Sequence, residues 1–243
     1  MHEESANLCA PMKSKFRCDV VSWSRIERLA RDLAHAIRAS GFQPDLIVAI
    51  ARGGYVPARL LADALGVTAL TGLRIVHYTA GARRQRRARL VEPLRIAVTG
   101  QRVLVVDDVA DTGDTYVVAM QHIARRQPAG VRSAALHYKV GARFVPDYYA
   151  ARLTAWRWIN YPWARLEDID GFLTRMRPRP VTVAEATRRL ARDFGMRVAR
   201  TEVAEVLSGM GRPTSPRRRE TVRRGGSVPR ARAGTRSRRR SPR

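Results

Sequence analysis

The chain has 243 residues, of which 45% are apolar, and a formal net charge of +25. No apolar run approaches the ~20 residues of a membrane span, the amino-terminal segment lacks the apolar stretch of a secretory signal, and the two cysteines, Cys9 and Cys18, show no disulfide or zinc pattern. We therefore expect a cytoplasmic protein with one globular domain and extensions.

Helical and strand-like segments alternate along the first two thirds of the chain. Apolar residues at helical spacing predict helices at 22–40, 56–65 and 115–126. Apolar runs predict strands at 45–50, 73–79, 102–108, 131–139 and, at the edge of the sheet, 154–160. Strands that alternate with helices favour an α/β fold with a central parallel sheet flanked by helices.

Composition divides the chain further. We expect an N-terminal extension (1–20), the α/β domain (21–180), a helical C-terminal extension (181–210) and a disordered basic C-terminal tail (211–243). The tail holds 13 arginines and one glutamate over 212–243. It is either a solvated tail without a fixed partner or a salt-sensitive contact to nucleic acid.

Four carboxylates are concentrated in VLVVDDVADTGDT, residues 103–115. Asp107 and Asp108 end a buried strand, where open α/β sheets bind ligands. Gly113 permits a close backbone approach, and the N-terminus of the following helix suits a phosphate, with hydroxyl donors from Thr112 and Thr115. The carboxylates would accept hydrogen bonds from vicinal hydroxyls, directly or through Mg²⁺. The segment therefore predicts a site for a phosphorylated sugar.

Three other interpretations fit this segment less well. A Walker B strand needs a GxxxxGK[ST] loop, which the chain lacks. The DTG triplet of aspartic proteases belongs to an all-β fold. Helix capping by Asp111 and Asp114 would not require four acids in eight residues.

VLVVDDVADTGDT resembles the phosphoribosyl pyrophosphate (PRPP) motif of the type I phosphoribosyltransferases. IARGGYVPARLLADALGV (50–67) resembles the pyrophosphate loop and following helix of that family. LHYKVGA, DYYA and WINYPW, within 136–163, resemble the purine-binding end of its bacterial xanthine-guanine branch. The resemblance covers about residues 22–165. It implies a type I phosphoribosyltransferase fold with a small hood for the domain at 21–180.

The resemblance also implies a role for each motif residue at the PRPP subsite. Asp107 and Asp108 would face the ribose hydroxyls and Mg²⁺, and Arg52 and Gly53 would line the pyrophosphate site. ARGGYVP alone is equally well explained as a glycine-rich turn. The implied PRPP-binding residues are Arg52, Gly53, Asp107, Asp108, Asp111, Thr112, Gly113, Asp114 and Thr115.

At the purine end, Asp111 would lie near N7 as a general base, or stabilise an oxocarbenium charge; alternatively it only caps a helix. Lys139 would donate to the 6-oxo group, unless it is a solvated lysine. Trp158 would stack on the base, unless it only packs in the core. Ile159 would contact the base edge.

The arginine-rich segment 81–93 is expected to be a long mobile loop or a hairpin over a site, and the resemblance implies that the loop at 76–95 is the mobile hood that closes over PRPP. His77-Tyr78 stands where the xanthine-guanine branch has a Ser-Tyr pair, which leaves the role of His77 open. Four arginines here either reach pyrophosphate or are solvated: Arg83, Arg84, Arg86 and Arg87.

We predict an enzyme that transfers 5-phosphoribose from PRPP to a 6-oxopurine (guanine, xanthine or hypoxanthine), with Mg²⁺ as cofactor, and that forms a homo-oligomer. One alternative is a PRPP-sensing regulator of the same fold that binds nucleic acid. Another is a phosphoribosyltransferase with a different acceptor.

Overall fold

A computed structural model describes residues 17–79 and 83–210, with the backbone alone for 78–79 and 83–87. The helices are α1 (Trp23–Ala39), α2 (Tyr55–Leu65), α3 (Asp114–Ala124), α4 (Arg165–Arg175), α5 (Val183–Phe194) and α6 (Arg200–Leu207). The strands are β1 (Cys18–Val20), β2 (Leu46–Ala51), β3 (Leu70–Thr79), β4 (Arg83–Glu92), β5 (Arg102–Ala110), β6 (Gly130–Lys139), β7 (Tyr148–Leu153) and β8 (Trp158–Asn160). The basic tail lies outside the described residues.

The main sheet has six strands in the order β4-β3-β2-β5-β6-β7. All neighbours are parallel except β4, which runs antiparallel to β3. Every residue of β2 is buried, as expected for a strand covered on both faces. The predicted α/β fold with a central, mostly parallel sheet flanked by helices is confirmed.

Helices cover the two faces of this sheet with separate apolar cores. α1 and α2 pack on one face, with Ile26, Leu33 and Leu61 fully buried. α3 packs on the other face through Tyr116 and Ile123. The hydroxyl of Ser22 accepts the amide of Arg25 and begins α1. These two layers fix the carboxyl end of β5, where the acidic motif lies.

The edge of the sheet differs from the prediction. Only Trp158–Asn160 of the predicted strand 154–160 is extended, and it pairs in parallel with β1 in a separate two-stranded sheet. The true edge strand is β7, which we did not predict because its half-buried residues mix arginine with alanine and tyrosine. The prediction for 154–157 was wrong, since these residues are exposed in a loop between β7 and β8.

The segment 81–93 contains β4, which pairs antiparallel with β3. Of the two predicted alternatives, the hairpin is therefore the one observed. Its tip, 80–82, and the side chains of Arg83, Arg84, Arg86 and Arg87 lie outside the described residues. The interpretation of these arginines therefore stays a prediction.

The helices α4, α5 and α6 form a third apolar core, which we call the helical module (165–207). Its buried residues include Phe172 and Leu173 of α4, Leu190 of α5 and Val203 of α6. The predicted helical extension at 181–210 contains α5 and α6, but we did not predict α4. Among the described residues no helix is long and apolar enough to cross a membrane.

Candidate active site

A cavity of about 200 Å³ opens at the carboxyl ends of β5 and β6. It is lined by most of the residues that the sequence predicted for the two subsites: Asp107, Asp108, Asp111, Thr112, Gly113, Thr115, Lys139, Trp158 and Ile159. Three predicted residues, Arg52, Gly53 and Asp114, are not in its lining. The structure therefore brings the acidic motif and the predicted base-binding residues into one space.

The two adjacent carboxylates lie on β5, within four residues of its end. Burial, and then the charge of Asp108, raise the pKa of Asp107 well above its usual range. Burial raises the pKa of Asp108 to about 6, against an opposing effect of Lys139. Both carboxylates are thus held where hydroxyl donors or a cation would stabilise their ionised forms.

Hydrogen bonds from β6 and the loop after β8 hold the end of β5. The Tyr161 hydroxyl donates to the Asp108 carbonyl at 2.9 Å and lies 2.8 Å from His137 Nδ1. Because Tyr161 has one proton to donate, we assign Nδ1 of His137 as the donor in the second bond. Burial lowers the pKa of His137 to about 4, so the ring is neutral at pH 7. Tyr161 also lines the cavity, although it is not among the predicted site residues.

The turn 111–113 connects β5 to the N-terminus of α3. Gly113 has φ +82°, and a Cβ there would lie 2.6 Å from the Phe144 nitrogen, so this position requires glycine. The N-cap residue of α3 is Gly113, so neither Asp111 nor Asp114 occupies the N-cap position. The Asp114 amide donates to the Thr112 hydroxyl oxygen at 3.4 Å. The N-terminus of a helix presents further amides that can bind an anion.

Asp114 is not in the cavity lining, and its carboxylate contacts neighbouring side chains. It lies 3.2 Å from Arg143 Nη1 and 3.4 Å from His77 Nε2, and it accepts the Thr112 hydroxyl at 2.9 Å. The Asp114 carboxylate therefore connects the loop to Arg143 and His77, and its predicted PRPP contact stays a prediction. His77 is buried, lines the cavity and lies 3.5 Å from the Thr112 hydroxyl; its sequence position alone gave it no role.

At the base end, Lys139 is 5% exposed, so the solvated-lysine alternative is wrong. Its Nζ lies 3.1 Å from Asp111 Oδ1. Burial lowers the pKa of Lys139, and Asp111 opposes that effect. Trp156, which we did not predict, donates its indole N–H to the same oxygen at 3.1 Å, and its ring centre lies 4.6 Å from Nζ. Lys139 and Asp111, the two charged residues predicted to contact the purine, are thus paired with each other, and the exposed Trp156 contacts both.

Trp158 lines the cavity and also packs against the core of the helical module, so it has a packing role, and its stacking on a base stays a prediction. Its indole N–H donates to Asp168 Oδ2 at 2.9 Å, and Asn160 donates to the same oxygen at 2.8 Å. Burial raises the pKa of Asp168 to about 6. Sequence reasoning missed Asp168 because no motif connects α4 with the strand β8.

The predicted pyrophosphate loop lies beside the acidic motif. A Cβ on Gly53 would lie 2.3 Å from Asp108 Oδ2, so glycine lets the loop pass directly against that carboxylate. Arg52 instead pairs with Glu167 of α4, 2.7 Å away, and its side chain is 71% exposed. The loop backbone therefore lies against Asp108, and the Arg52 guanidinium is directed to α4.

The donor set at Asp107 and Asp108 fits Mg²⁺. Carboxylate oxygens are hard ligands, and Mg²⁺ usually binds through one or two carboxylates together with substrate phosphates and water. Among the described residues no group of three or more His, Cys, Asp or Glu side chains forms a metal cage. The arrangement thus suits a metal that arrives with a phosphate-bearing ligand.

Sequence comparison identifies the domain to which these residues belong. A family model described as the phosphoribosyl transferase domain matches residues 19–167. A xanthine-guanine phosphoribosyltransferase from Gluconobacter oxydans is 29% identical over 143 residues, which cover 59% of this chain and 82% of the relative. A second enzyme of that name, from Idiomarina loihiensis, is 28% identical over 143 residues, covering 59% and 84%.

Two solved structures are similar to this one. A purine phosphoribosyltransferase from Pyrococcus horikoshii is 31% identical, with a TM-score of 0.52, and the match covers 60% of this chain and 93% of that chain. A hypothetical protein from Neisseria gonorrhoeae with bound ppGpp is 26% identical, with a TM-score of 0.55, covering 68% and 98%. The family match ends at residue 167, so α5 and α6 lie beyond it.

Proposed function

Because this chain belongs to the phosphoribosyl transferase family and is therefore a transferase, we propose that it transfers 5-phosphoribose from PRPP to N9 of a 6-oxopurine and releases pyrophosphate. The observation that carries the proposal is the single cavity that holds the acidic motif together with Lys139 and Trp158. The names of the curated relatives and of the Pyrococcus structure support a purine acceptor.

The PRPP subsite follows from the chemistry of the 107–115 segment. The amides at the start of α3, with the hydroxyls of Thr112 and Thr115, would bind the 5′-phosphate. Asp107 and Asp108 would accept hydrogen bonds from the ribose hydroxyls and would hold Mg²⁺. The metal would neutralise charge on the pyrophosphate leaving group. The close approach of Gly53 to Asp108 supports a pyrophosphate subsite on the other side of these carboxylates.

The base subsite uses the residues at the ends of β6 and β8. Lys139 would donate to the 6-oxo group, Asp111 would lie at the N7 side, Ile159 would contact the base edge, and Trp158 would stack on the ring. Because Lys139 Nζ lies 3.1 Å from Asp111 Oδ1, a base that contacts both side chains would replace this ion pair with one contact to each. An ammonium can only donate, so this subsite favours a carbonyl over the amino group of adenine.

In the reaction the bond from C1′ to the pyrophosphate oxygen breaks and the bond from C1′ to N9 forms. The base loses one proton, which Asp111 would accept; otherwise this carboxylate stabilises the positive charge that develops on the ribose. Closure of the β3–β4 hood would exclude water, which would otherwise compete as the acceptor. The protein contributes chiefly position and electrostatics.

The regulator alternative is less well supported. A protein that only senses PRPP has no need of a buried lysine and a tryptophan next to Asp111, yet all three line the same cavity. The predicted homo-oligomer and a nucleic-acid contact of the basic tail stay predictions.

The test is to mix the purified full chain with PRPP, Mg²⁺ and guanine, xanthine, hypoxanthine or adenine, and to follow nucleotide and pyrophosphate. We expect turnover with at least one 6-oxopurine, loss of turnover in D108N, and retention in G130A, since an added Cβ at Gly130 meets nothing within 4 Å. PRPP binding without turnover of any base would favour the regulator. Turnover with another class of acceptor would preserve the PRPP subsite and contradict the purine assignment.

A further inference from the structure

The helical module begins where the family match ends, and it packs against the predicted base subsite. Its apolar core joins α4, α5 and α6, and it extends to Cys18 of β1 and to Trp158 of β8. Two of its three helices, α5 and α6, lie beyond residue 167. The contacts of this module with Trp158 therefore indicate what the additional helices do.

Trp158 is held by α4 in two ways. Its indole N–H donates to Asp168 Oδ2 at 2.9 Å. Its ring stands edge-on to Phe172, with centroids 6.4 Å apart and an interplanar angle of 87°, a favourable aromatic geometry. A hydrogen bond at one edge and a ring contact together restrict both the position and the rotation of the indole.

Phe172 is held in turn by α5. Phe194, the last residue of α5, stacks on Phe172 with centroids 4.7 Å apart and an interplanar angle of 26°. Phe172 is completely buried, so it cannot move without disturbing the core. A chain of ring contacts thus runs from α5 through α4 to the wall of the base subsite.

Polar contacts fix α4 relative to the rest of the site. Arg165 Nη2 donates to the Val21 carbonyl at 2.7 Å, and Nη1 lies 3.5 Å from Glu202 Oε1 of α6. Asp168 also accepts from Asn160 of β8 at 2.8 Å. These contacts attach α4 to α6 on one side and to the β1–β8 sheet on the other.

We propose that the helical module positions Trp158 for stacking on the base, with Phe194 as a positioning residue that acts through Phe172. The proposal rests on the proposed function for the identity of the stacked ligand. Phe172 and Phe194 are not in the cavity lining, and their ring contacts lead to Trp158, so the effect of Phe194 is on base binding and not on PRPP binding.

The test compares F194A with V206A, which removes buried apolar volume from α6 in the same core. The first readout needs no substrate: near-UV circular dichroism reports fixed aromatic packing, and the difference between wild type and W158F defines the Trp158 contribution. F194A should lose most of the Trp158 signal. V206A should lower thermal stability but retain the Trp158 signal.

The second readout is steady-state kinetics with PRPP and a 6-oxopurine. F194A should raise KM for the base by about three- to tenfold, the scale of one aromatic pair, with KM for PRPP within about twofold. F194L should recover part of the loss, because it restores apolar volume without the ring.

An unchanged Trp158 signal in F194A, or an equal loss of that signal in V206A, would overturn the positioning role. A wild type that turns over no base would instead refute the proposed function, and the circular dichroism comparison would still decide whether the module positions Trp158.

Discussion

Asp111 contacts both Lys139 and Trp156 at the predicted base subsite. One of its oxygens, Oδ1, lies 3.1 Å from the Lys139 ammonium and accepts the Trp156 indole N–H at 3.1 Å. These are the groups that a purine must separate if it is to bind between Lys139 and Asp111. The pairing of Lys139 with Asp111 keeps two charged groups satisfied at a buried position, where an unpaired charge would be costly.

We expect W156F to bind the base more tightly. The substitution retains an aromatic ring near Lys139 but removes the N–H that competes for Asp111. A buried hydrogen bond to a charged acceptor contributes about 1.5–3 kcal/mol. Because the Trp156 indole is half exposed, solvent weakens its hydrogen bond. The KM for the base should therefore fall by about three- to tenfold. Steady-state kinetics at saturating PRPP measures the change.

W23F is the matched control, because Trp23 has similar exposure and lies beside Trp163, outside the cavity lining. It should leave base KM unchanged. A rise in base KM for W156F would mean that the indole contacts the bound base and does not compete with it.

The helix α4 connects the two predicted subsites. Consecutive residues on its first turn, Glu167 and Asp168, hold Arg52 of the pyrophosphate loop and Trp158 of the base subsite. Because the Arg52 guanidinium is directed to α4, pyrophosphate oxygens would have to compete with Glu167 for it.

We expect E167Q to lower KM for PRPP, because it removes the charge that holds Arg52 in the ligand-free protein. Exposed ion pairs contribute about 0.2–1 kcal/mol, so the decrease should be about two- to fivefold and should shrink as ionic strength rises. Kinetics with varied PRPP at two salt concentrations measures it.

E185Q serves as the control for E167Q, since Glu185 pairs with Arg189 within α5 at 3.2 Å. It should change neither KM. An E167Q variant whose KM for PRPP increases would show that Glu167 orients Arg52 productively.

For the whole molecule, the buried carboxyl of Asp168 links stability to pH. The free aspartate pKa is 3.8 and the folded value is about 6. Between these values the folded state binds more protons than the unfolded state, so the Asp168 contribution to stability falls as pH rises through this window and stays lower above it. Glu167 and Asp108 act in the same direction as burial.

D168N lacks this titration, while its side-chain oxygen can still accept from Trp158 and Asn160. The free energy of unfolding of D168N, relative to wild type, should rise by up to about 3 kcal/mol between pH 4 and pH 7. Urea unfolding of both proteins across this range measures the difference. D168N is compared with wild type because His137, with its pKa lowered to about 4, makes stability rise with pH in both proteins. Subtracting one free energy of unfolding from the other removes this contribution. A difference independent of pH would contradict the assignment.

The sequence was most informative where the functional residues are neighbours along the chain. The carboxylates, threonines and glycine of 107–115 and the WIN of 158–160 were located by their motifs, and the cavity contains most of them. Apolar periodicity located the central strands and α1. Contacts such as Trp158–Asp168 and Arg52–Glu167 could not be predicted, because they depend on how α4, which we did not predict, packs against other elements.

The central claim is that the cavity recognises a 6-oxopurine through a hydrogen bond from Lys139 to the 6-oxo group. The most direct measurement is the ratio of kcat/KM for guanine or hypoxanthine to that for adenine, in wild type and in K139M. R132M, an exposed substitution on the same strand, serves as the control.

We predict that wild type prefers the 6-oxopurine by at least about a hundredfold. K139M should reduce that preference by about ten- to a hundredfold, and R132M should preserve it. A wild type that uses adenine equally well, or a K139M variant with an unchanged ratio, would contradict the account.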